Sequence, residues 1–217
     1  ATLATGRIMA SLFFEASTRT DMSFQAAMRR LGGEVIMASN GVQFSSVYKG
    51  ENLADTVRAA GCYADVIALR HPGVGSSYEA AYYLDRLNEK IYTPAAVISG
   101  GDGVGEHPTQ GLLDLFTIAD LKDGPDNLTI TMVGDLLYGR TVHSLAKLIA
   151  LYEAKNTTLC FVSPPSLRMP DTVIDFLNKH EDITIHETND LYEVLNKTDV
   201  LYWTRIQQER FARQADY

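Results

Sequence analysis

The sequence predicts an α/β fold of two domains, each a mostly parallel sheet flanked by helices. Along the 217 residues, short apolar runs typical of buried strands alternate with longer segments in which apolar residues recur every three or four positions. Polar residues follow several of the predicted strands, where ligands bind in open parallel sheets. Such regular alternation is typical of parallel sheets with helices on both faces.

Composition narrows the class of protein. Apolar residues make up 46% of the chain and charged residues 21%, which suits a folded core rather than a disordered chain. The net charge of −8 argues against a nucleic-acid partner. Cys62 and Cys160 lie far apart with no CxxC pair, so we predict neither a disulfide framework nor a metal site, and a reducing, cytoplasmic location. We predict no membrane span, because there is no apolar run of about 18 residues and no signal-peptide pattern.

The first predicted strand ends at Phe14, and the next helix presents apolar residues from Phe24 to Leu31 before Gly32. Three hydroxyls and a guanidinium, with no bulky apolar side chain, lie between strand and helix: Ser17, Thr18, Arg19 and Thr20. The unpaired N–H groups of a helix N-terminus favour an anion, so this stretch suits a phosphate dianion. On this stretch alone an alternative stays open, in which Ser17 or Thr18 caps the helix and Arg19 is a solvated surface charge.

The rest of the first half continues the alternation. Strands are predicted at 35–38, 66–69 and 95–98, and helices from 53 and over 78–87. Asn52 is predicted to cap the first of these helices. The polar segment 39–50 is long for a loop and is therefore a candidate functional segment. A glycine-rich loop is predicted over 99–106.

Polar groups stand after three separate strands, which predicts a ligand site at one edge of the sheet. They are the Ser17–Thr20 segment, Arg70, and His107 with Gln110. Taken singly, Arg70 could lie in a surface loop and His107 could simply begin a helix. The coincidence of three such positions favours a site.

The helix that starts near Gln110 is apolar around most of its circumference, so we expect it to be buried on several sides as a connector between domains. The turn 123–126 ends it. We therefore predict domains at 1–111 and 127–217, with the connecting helix and turn at 112–126. The second half is predicted to contain strands at 128–133, 159–162, 183–185 and 200–203, and helices at 141–151, 171–178 and 191–195.

Positive charges again follow strands in the second half. Arg140 and Arg205, with Gln207, could clamp carboxylates, since the guanidinium fork binds them bidentately. The alternative is that both arginines form surface salt bridges. The loop 134–140 lacks the GxGxxG spacing, so we predict no dinucleotide site.

Several runs in this order resemble those of the aspartate carbamoyltransferase family, over residues from about 8 to 211. They are FEASTRT at 14–20, YKGE at 48–51, LRHP at 69–72, GDG at 101–103, HPTQ at 107–110, VGD at 133–135 with GRTVHS at 139–144, and YWTRIQ at 202–207. The resemblance implies a carbamoyl-phosphate domain followed by an aspartate domain. It also implies catalysis of an early step of pyrimidine biosynthesis, the transfer of a carbamoyl group from carbamoyl phosphate to L-aspartate, without metal or cofactor.

The resemblance also implies a role for each matching residue. Ser17, Thr18, Arg19 and Thr20 hold the phosphate. Arg70, His107 and Thr20 face the carbonyl oxygen, and Gln110 faces the carbamoyl nitrogen. Ser45 and Lys49 match loop residues that reach a neighbouring subunit's site, which implies a homotrimer. Arg140, Arg205 and Gln207 hold the two carboxylates of aspartate. The residues expected to be catalytic are Arg70, His107, Thr20 and Lys49.

The implied chemistry needs donors rather than a covalent nucleophile. The aspartate amine attacks the carbonyl carbon, and Arg70, Thr20 and His107 stabilise the oxyanion that develops. His107 is expected to act as a neutral donor. The departing phosphate is expected to accept the amine proton.

Two alternatives remain. One is ornithine carbamoyltransferase, disfavoured because Arg205 attracts a carboxylate and repels an amine. The other is a non-catalytic domain that serves assembly or regulation. Leu137 stands where relatives often have Lys, and Asp21 places a negative charge beside the phosphate segment. Relatives extend past both ends, so we expect the chain to be truncated at both.

Overall fold

The computed structural model describes residues 2–37, 50–89, 95–103 and 105–205. The chain folds into two compact units, residues 1–105 and 106–217. The boundary therefore falls between residues 105 and 106, one residue before the HPTQ run and ahead of the predicted connector at 112–126.

The first unit is built on a sheet whose four strands are all parallel. Its strands are β1 (Ile8–Phe13), β2 (Glu34–Met37), β3 (Val66–His71) and β4 (Ala96–Asp102), in the spatial order β2-β1-β3-β4. Its helices are α1 (Thr18–Arg30), α2 (Leu53–Gly61) and α3 (Ser76–Asn88). Along β1, Met9 and Phe13 pack into one apolar cluster, while Ala10 and Leu12 pack into another on the opposite face. Both faces of this sheet are therefore covered.

The second unit repeats the design with a different strand order. Its strands are β5 (Thr129–Val133), β6 (Thr157–Val162), β7 (Ile183–Thr188) and β8 (Val200–Trp203), all parallel, in the order β7-β6-β5-β8. Its helices are α4 (Pro108–Lys122), α5 (Arg140–Leu151), α6 (Asp171–Leu177) and α7 (Leu191–Leu195). Leu159 and Phe161 face the main core, while Cys160 and Val162 pack with Val194 on the other face. The predicted α/β class with two mostly parallel sheets is confirmed.

The predicted N-terminal cap of α2 is confirmed. The Oδ1 atom of Asn52 accepts a 2.9 Å hydrogen bond from the backbone N–H of Asp55, as predicted for a capping residue. This bond satisfies one of the amides that the first turn of a helix leaves without a partner.

Two boundaries at the end of the first sheet were predicted wrongly. Residues 99–102 were expected in a loop, but β4 continues through them to Asp102. Arg70 and His71 belong to β3 rather than following it. Glycine and aspartate are poor strand formers, but pairing with β3 overrides that preference, and the register shifts between Leu69 and His71.

The expected burial of the helix after Gln110 is wrong as well. Among the described side chains of α4, only Gly111 and Ile118 are buried, whereas the large apolar ones at 112, 113, 116 and 121 are each more than half exposed. A Cβ on Gly111 would lie 2.7 Å from Leu148 and 3.1 Å from Ser144, so α4 packs closely on α5 along one narrow stripe. That stripe accounts for the burial that α4 has.

None of the helices in the described ranges combines the length and the apolar character that crossing a membrane requires.

Candidate functional site

The segment between β1 and α1 presents hydroxyl groups at the start of a 13-residue helix. Ser17 is the residue before α1, and its hydroxyl donates a 3.0 Å hydrogen bond to the Oγ1 atom of Thr20 rather than capping the helix. The capping interpretation is therefore wrong for Ser17. The first-turn amides and the helix dipole together favour a bound anion at this position.

Asp21 is held by groups that lie on β1 and on the next turn of α1. Its Oδ1 atom accepts a 2.6 Å hydrogen bond from the hydroxyl of Ser11, a fully buried residue of β1, and a 2.9 Å bond from Gln25. A carboxylate in the first turn also interacts favourably with the helix dipole. Asp21 therefore has a structural role, in linking β1 to α1, which accounts for a negative charge beside Ser17–Thr20.

Arg70 reaches from β3 to both neighbouring segments at the carboxyl edge of the first sheet. The residue is 6% exposed, its Nη1 donates a 3.0 Å hydrogen bond to the carbonyl oxygen of Gly100 on β4, and its Nη2 lies 2.7 Å from the Oε2 of Glu15. Glu15 is itself part of the segment between β1 and α1. Arg70 is thus a cation of fixed orientation beside that segment.

The strand order explains why these groups share one edge. β1 and β3 are neighbours in the sheet, and Phe13 pairs with Arg70. The chain leaves β1 toward β2 on one side and leaves β3 toward β4 on the other, so the order reverses between them. In open parallel sheets the crevice at such a reversal is where ligands bind. The structure brings Ser17–Thr20 and Arg70 to the two sides of this reversal.

The loops after β3 and β4 are tied to each other. The Nδ1 atom of His71 accepts a 2.9 Å bond from the N–H of Gly73, and burial lowers the pKa of His71. The carboxylate of Asp102 accepts a 2.9 Å bond from the N–H of Gly75. A Cβ on Gly103, whose φ is +59°, would come within 2.0 Å of the carbonyl oxygen of Pro72, so only glycine fits there.

In the second unit, His107 stands immediately before α4 and is 7% exposed. Its backbone N–H donates a 2.9 Å hydrogen bond to the Oγ atom of Ser144 on α5. Ser144 in turn donates to one carboxylate oxygen of Glu106, and Lys147 pairs with the other. The backbone of His107 is therefore held by a hydrogen-bond network of three side chains, those of Ser144, Glu106 and Lys147.

Gln110, in the first turn of α4, belongs to another network. Its Nε2 donates a 2.9 Å hydrogen bond to the Oδ1 of Asp114, and the hydroxyl of Tyr202 on β8 donates to the Oδ2 at 3.1 Å. Burial raises the pKa of the Asp114 carboxyl, while its two hydrogen bonds act in the opposite direction. Burial also raises the pKa of Tyr202 to about 12, so the phenol stays a neutral donor.

Arg140 and Arg205 follow the two strands between which the order of the second sheet reverses. Arg140 begins α5 after β5, and Arg205 comes two residues after the end of β8. The backbones of these segments are close, because the N–H of Thr204 donates to the carbonyl of Val133 at 2.9 Å. A Cβ on Gly134 would lie 2.3 Å from the carbonyl oxygen of Thr204. Two cations thus leave the sheet on either side of one reversal, an arrangement suited to a dicarboxylate.

His143, in the GRTVHS run, contacts the protein backbone and has no predicted role in binding a substrate. Its Nε2 lies 2.7 Å from the carbonyl oxygen of Leu136, and burial lowers its pKa. Because a carbonyl oxygen only accepts, Nε2 carries a proton and donates it in this bond, which holds the loop 134–139 against α5.

Other predicted site residues lie outside the described ranges, namely Ser45, Lys49 and Gln207. Sequence reasoning missed Glu15, Ser144, Asp114 and Tyr202. The i,i+4 spacing of Gln110 and Asp114 was a usable signal, since such pairs meet on a helix surface. The described residues contain no group of three or more His, Cys, Asp or Glu arranged to hold a metal ion.

Comparison with known proteins places both units. Residues 1–120 match the family described as aspartate/ornithine carbamoyltransferase, carbamoyl-P binding domain. Residues 126–217 match aspartate/ornithine carbamoyltransferase, Asp/Orn binding domain.

Individual relatives agree with these matches. The chain is 50% identical to the multifunctional protein CAD of Squalus acanthias over 98% of its own length and 9% of that protein. It is 49% identical to the aspartate carbamoyltransferase catalytic subunit of Methanothrix thermoacetophila over 98% of its own length, and it spans 65% of that subunit. A crystal structure of aspartate transcarbamoylase from Trypanosoma cruzi, in complex with carbamoyl aspartate and phosphate, superposes with a TM-score of 0.87 at 43% identity, covering 99% of this chain and 64% of that one.

Proposed function

Because the chain belongs to the aspartate/ornithine carbamoyltransferase family, we propose that the protein transfers the carbamoyl group of carbamoyl phosphate to L-aspartate. The products are N-carbamoyl-L-aspartate and phosphate, in an early step of pyrimidine biosynthesis. The observation that carries the choice of aspartate is the pair Arg140 and Arg205, which leave β5 and β8 at the reversal of the second sheet. Two guanidinium groups suit a dicarboxylate and disfavour the amine-bearing side chain of ornithine.

The phosphate end of carbamoyl phosphate is assigned to the first unit. Ser17, Thr18, Arg19 and Thr20 supply hydroxyls, a guanidinium and the N-terminal amides of α1. Ser45 and Lys49 are assigned to the same phosphate. The assignment of Ser17 and Thr20 is supported by the hydrogen bond between their hydroxyls, because the Ser17 hydroxyl then does not cap the helix.

The carbonyl end is assigned to Arg70, His107 and Thr20, with Lys49 as a further catalytic cation. When the aspartate nitrogen attacks the carbonyl carbon, negative charge develops on the carbonyl oxygen. Preorganised donors stabilise that charge, and the loss of one typically lowers kcat by about 100- to 1000-fold. The fixed orientation of Arg70 and the anchored backbone of His107 support these roles.

The later steps need no covalent intermediate on the protein. The tetrahedral intermediate collapses as the bond from the carbonyl carbon to the phosphate oxygen breaks, and the departing phosphate takes the proton of the attacking amine. Gln110 binds the carbamoyl nitrogen. Arg140, Arg205 and Gln207 hold the aspartate carboxylates, so the amine is already positioned when it attacks. No metal or cofactor enters this scheme.

The proposal includes assembly and location. We assign residues 1–111 to carbamoyl phosphate, 127–217 to aspartate, and 112–126 to the connection. The protein forms a homotrimer in which Ser45 and Lys49 serve the site of a neighbouring subunit. The proposed location is the cytoplasm.

The central test is an assay for carbamoyl aspartate on the purified full-length protein, with its mass measured in the same buffer. Turnover with aspartate and none with ornithine, in a trimer, is the expected result. Turnover with ornithine instead of aspartate would show that ornithine is the substrate and would overturn the proposal. A folded trimer that binds carbamoyl phosphate but produces neither product would favour a non-catalytic domain for assembly or regulation.

The shared site has a separate test. Lys49→Ala and Arg70→Ala should each be nearly inactive, because each removes a cation from every site. Subunits of the two variants, dissociated and reassembled together, should regain part of the activity, since mixed trimers then contain some sites with both cations. If mixing restores nothing, Lys49 acts within its own subunit.

A further inference from the structure

Asp114 lies one helical turn beyond Gln110 on α4, and Tyr202 reaches it from β8. We infer that Asp114, held by Tyr202, is a positioning residue that orients the Gln110 amide and thereby makes the site select an acyl phosphate with an N–H donor next to its carbonyl. This inference rests on the proposed function, because it concerns how the proposed substrate is chosen.

The orientation of the Gln110 amide follows from the chemistry of its partner. An ionised carboxylate only accepts hydrogen bonds, so the face of the amide toward Asp114 must be the NH₂ group. The observed 2.9 Å contact joins Nε2 to Oδ1. The carbonyl oxygen of the Gln110 amide therefore faces away from Asp114 as an acceptor.

Asp114 is held on its second oxygen as well. The Tyr202 hydroxyl donates to Oδ2 at 3.1 Å. Asp114 and Tyr202 are both partly buried. With a donor on each oxygen, the carboxylate has little freedom to rotate, so the orientation of Gln110 is set before any ligand arrives.

The outward carbonyl oxygen of Gln110 matches one feature of carbamoyl phosphate. The carbamoyl group carries an NH₂ where acetyl phosphate carries a methyl group of similar size. The NH₂ can donate to Gln110, whereas a methyl group would leave a desolvated acceptor without a partner. That penalty corresponds to discrimination of about 10- to 100-fold. If the Gln110 amide could rotate, its NH₂ would face the carbamoyl NH₂ and the discrimination would fall.

The test compares the two acyl phosphates on the full-length protein. With acetyl phosphate the aspartate nitrogen attacks the acetyl carbonyl, the bond to phosphate breaks, and the products are N-acetylaspartate and phosphate. Asp114→Asn keeps the shape of the side chain but can donate as well as accept, so it no longer dictates the orientation of Gln110. Tyr202→Phe removes only the hydroxyl. Asp120→Asn is the control, because it makes the same change at an exposed position of α4.

In Asp114→Asn, we expect kcat/KM for carbamoyl phosphate to fall about 10- to 100-fold. The value for acetyl phosphate should change less than about threefold, so the ratio of the two narrows. Tyr202→Phe should shift the ratio in the same direction by less, and Asp120→Asn should leave it unchanged. Calorimetry measures the binding of each acyl phosphate without turnover. The ratio of the two affinities should narrow most in Asp114→Asn, less in Tyr202→Phe, and not at all in Asp120→Asn. If Asp114 had a purely structural role, its substitution would lower kcat/KM equally for both acyl phosphates.

An unchanged ratio in Asp114→Asn, or an equal loss for both substrates, would overturn the inference while the proposed function stood. A wild-type protein that neither binds nor turns over carbamoyl phosphate would overturn the proposed function, and the inference with it.

Discussion

The backbone N–H of His107 donates a 2.9 Å hydrogen bond to the Oγ atom of Ser144, 37 residues further along the chain. Ser144 is 4% exposed, and its hydroxyl donates a hydrogen bond to the carboxylate of Glu106. The residue that precedes α4 is therefore held by α5, through a hydroxyl that both accepts and donates.

Ser144→Ala should lower both stability and activity. The substitution leaves the buried N–H of His107 without its acceptor, which typically costs about 1–3 kcal/mol. Denaturant unfolding measures the first effect, and kcat for carbamoyl aspartate the second. Ser166→Ala, at an exposed position, is the matched control. If Ser144→Ala unfolds at the same denaturant concentration as the control, the hydrogen bond contributes nothing to stability.

Arg70→Lys should reduce kcat by about 100- to 1000-fold, the range typical for the loss of an oxyanion donor. Lysine keeps the charge but cannot reach both the Gly100 carbonyl and the Glu15 carboxylate as a planar fork does. Steady-state kinetics give the result. Arg7→Lys, whose side chain is 61% exposed, should keep its rate. Normal kcat in Arg70→Lys would exclude a geometric role for the guanidinium.

Arg205→Met should raise KM for aspartate by at least about tenfold, because a charge-assisted hydrogen bond to one carboxylate is lost. The Kd of carbamoyl phosphate should stay constant, since Arg205 is assigned to the other substrate. Kinetics and calorimetry separate the two. The control is Arg168→Met, another exposed arginine of the second unit, which pairs with Asp171. Equal effects of the two variants on KM would show that net charge, not position, matters.

Stability should decline as the pH falls below about 6.5, the ordinary pKa of histidine. Burial lowers the pKa of His143, so the unfolded chain binds a proton in this range more readily than the folded chain does. Glu106 and Asp135 act against the shift, and Lys147 adds to it. His143→Gln should flatten the dependence measured by denaturant unfolding at pH 7.5 and 5.5. An equally steep dependence in this variant would assign the effect elsewhere, and His71 is the next candidate.

The sequence predicted the class of fold and most strand positions because periodic apolar residues are a local signal. The extension of β4 to Asp102 was missed, since the hydrogen bonds that stabilise a strand of poor strand formers come from β3, about thirty residues away. Ser144 and Glu15 were missed for the same reason: their partners become neighbours only once the helices and sheets pack. The exposure of α4 was missed because an apolar helix does not reveal how much of it is covered.

The parallel pairing of β5 with β8 has a consequence for biosynthesis. Thr131 pairs with Leu201, so the chain must emerge 70 residues beyond Thr131 before the two strands can meet. Until then β5 offers an unpaired edge, which is open to pairing with other chains. Contacts so distant in sequence also form slowly. The two arginines on either side of this reversal are therefore brought together late. A chain cut short before β8 would carry Arg140 without Arg205 and would keep an open sheet edge.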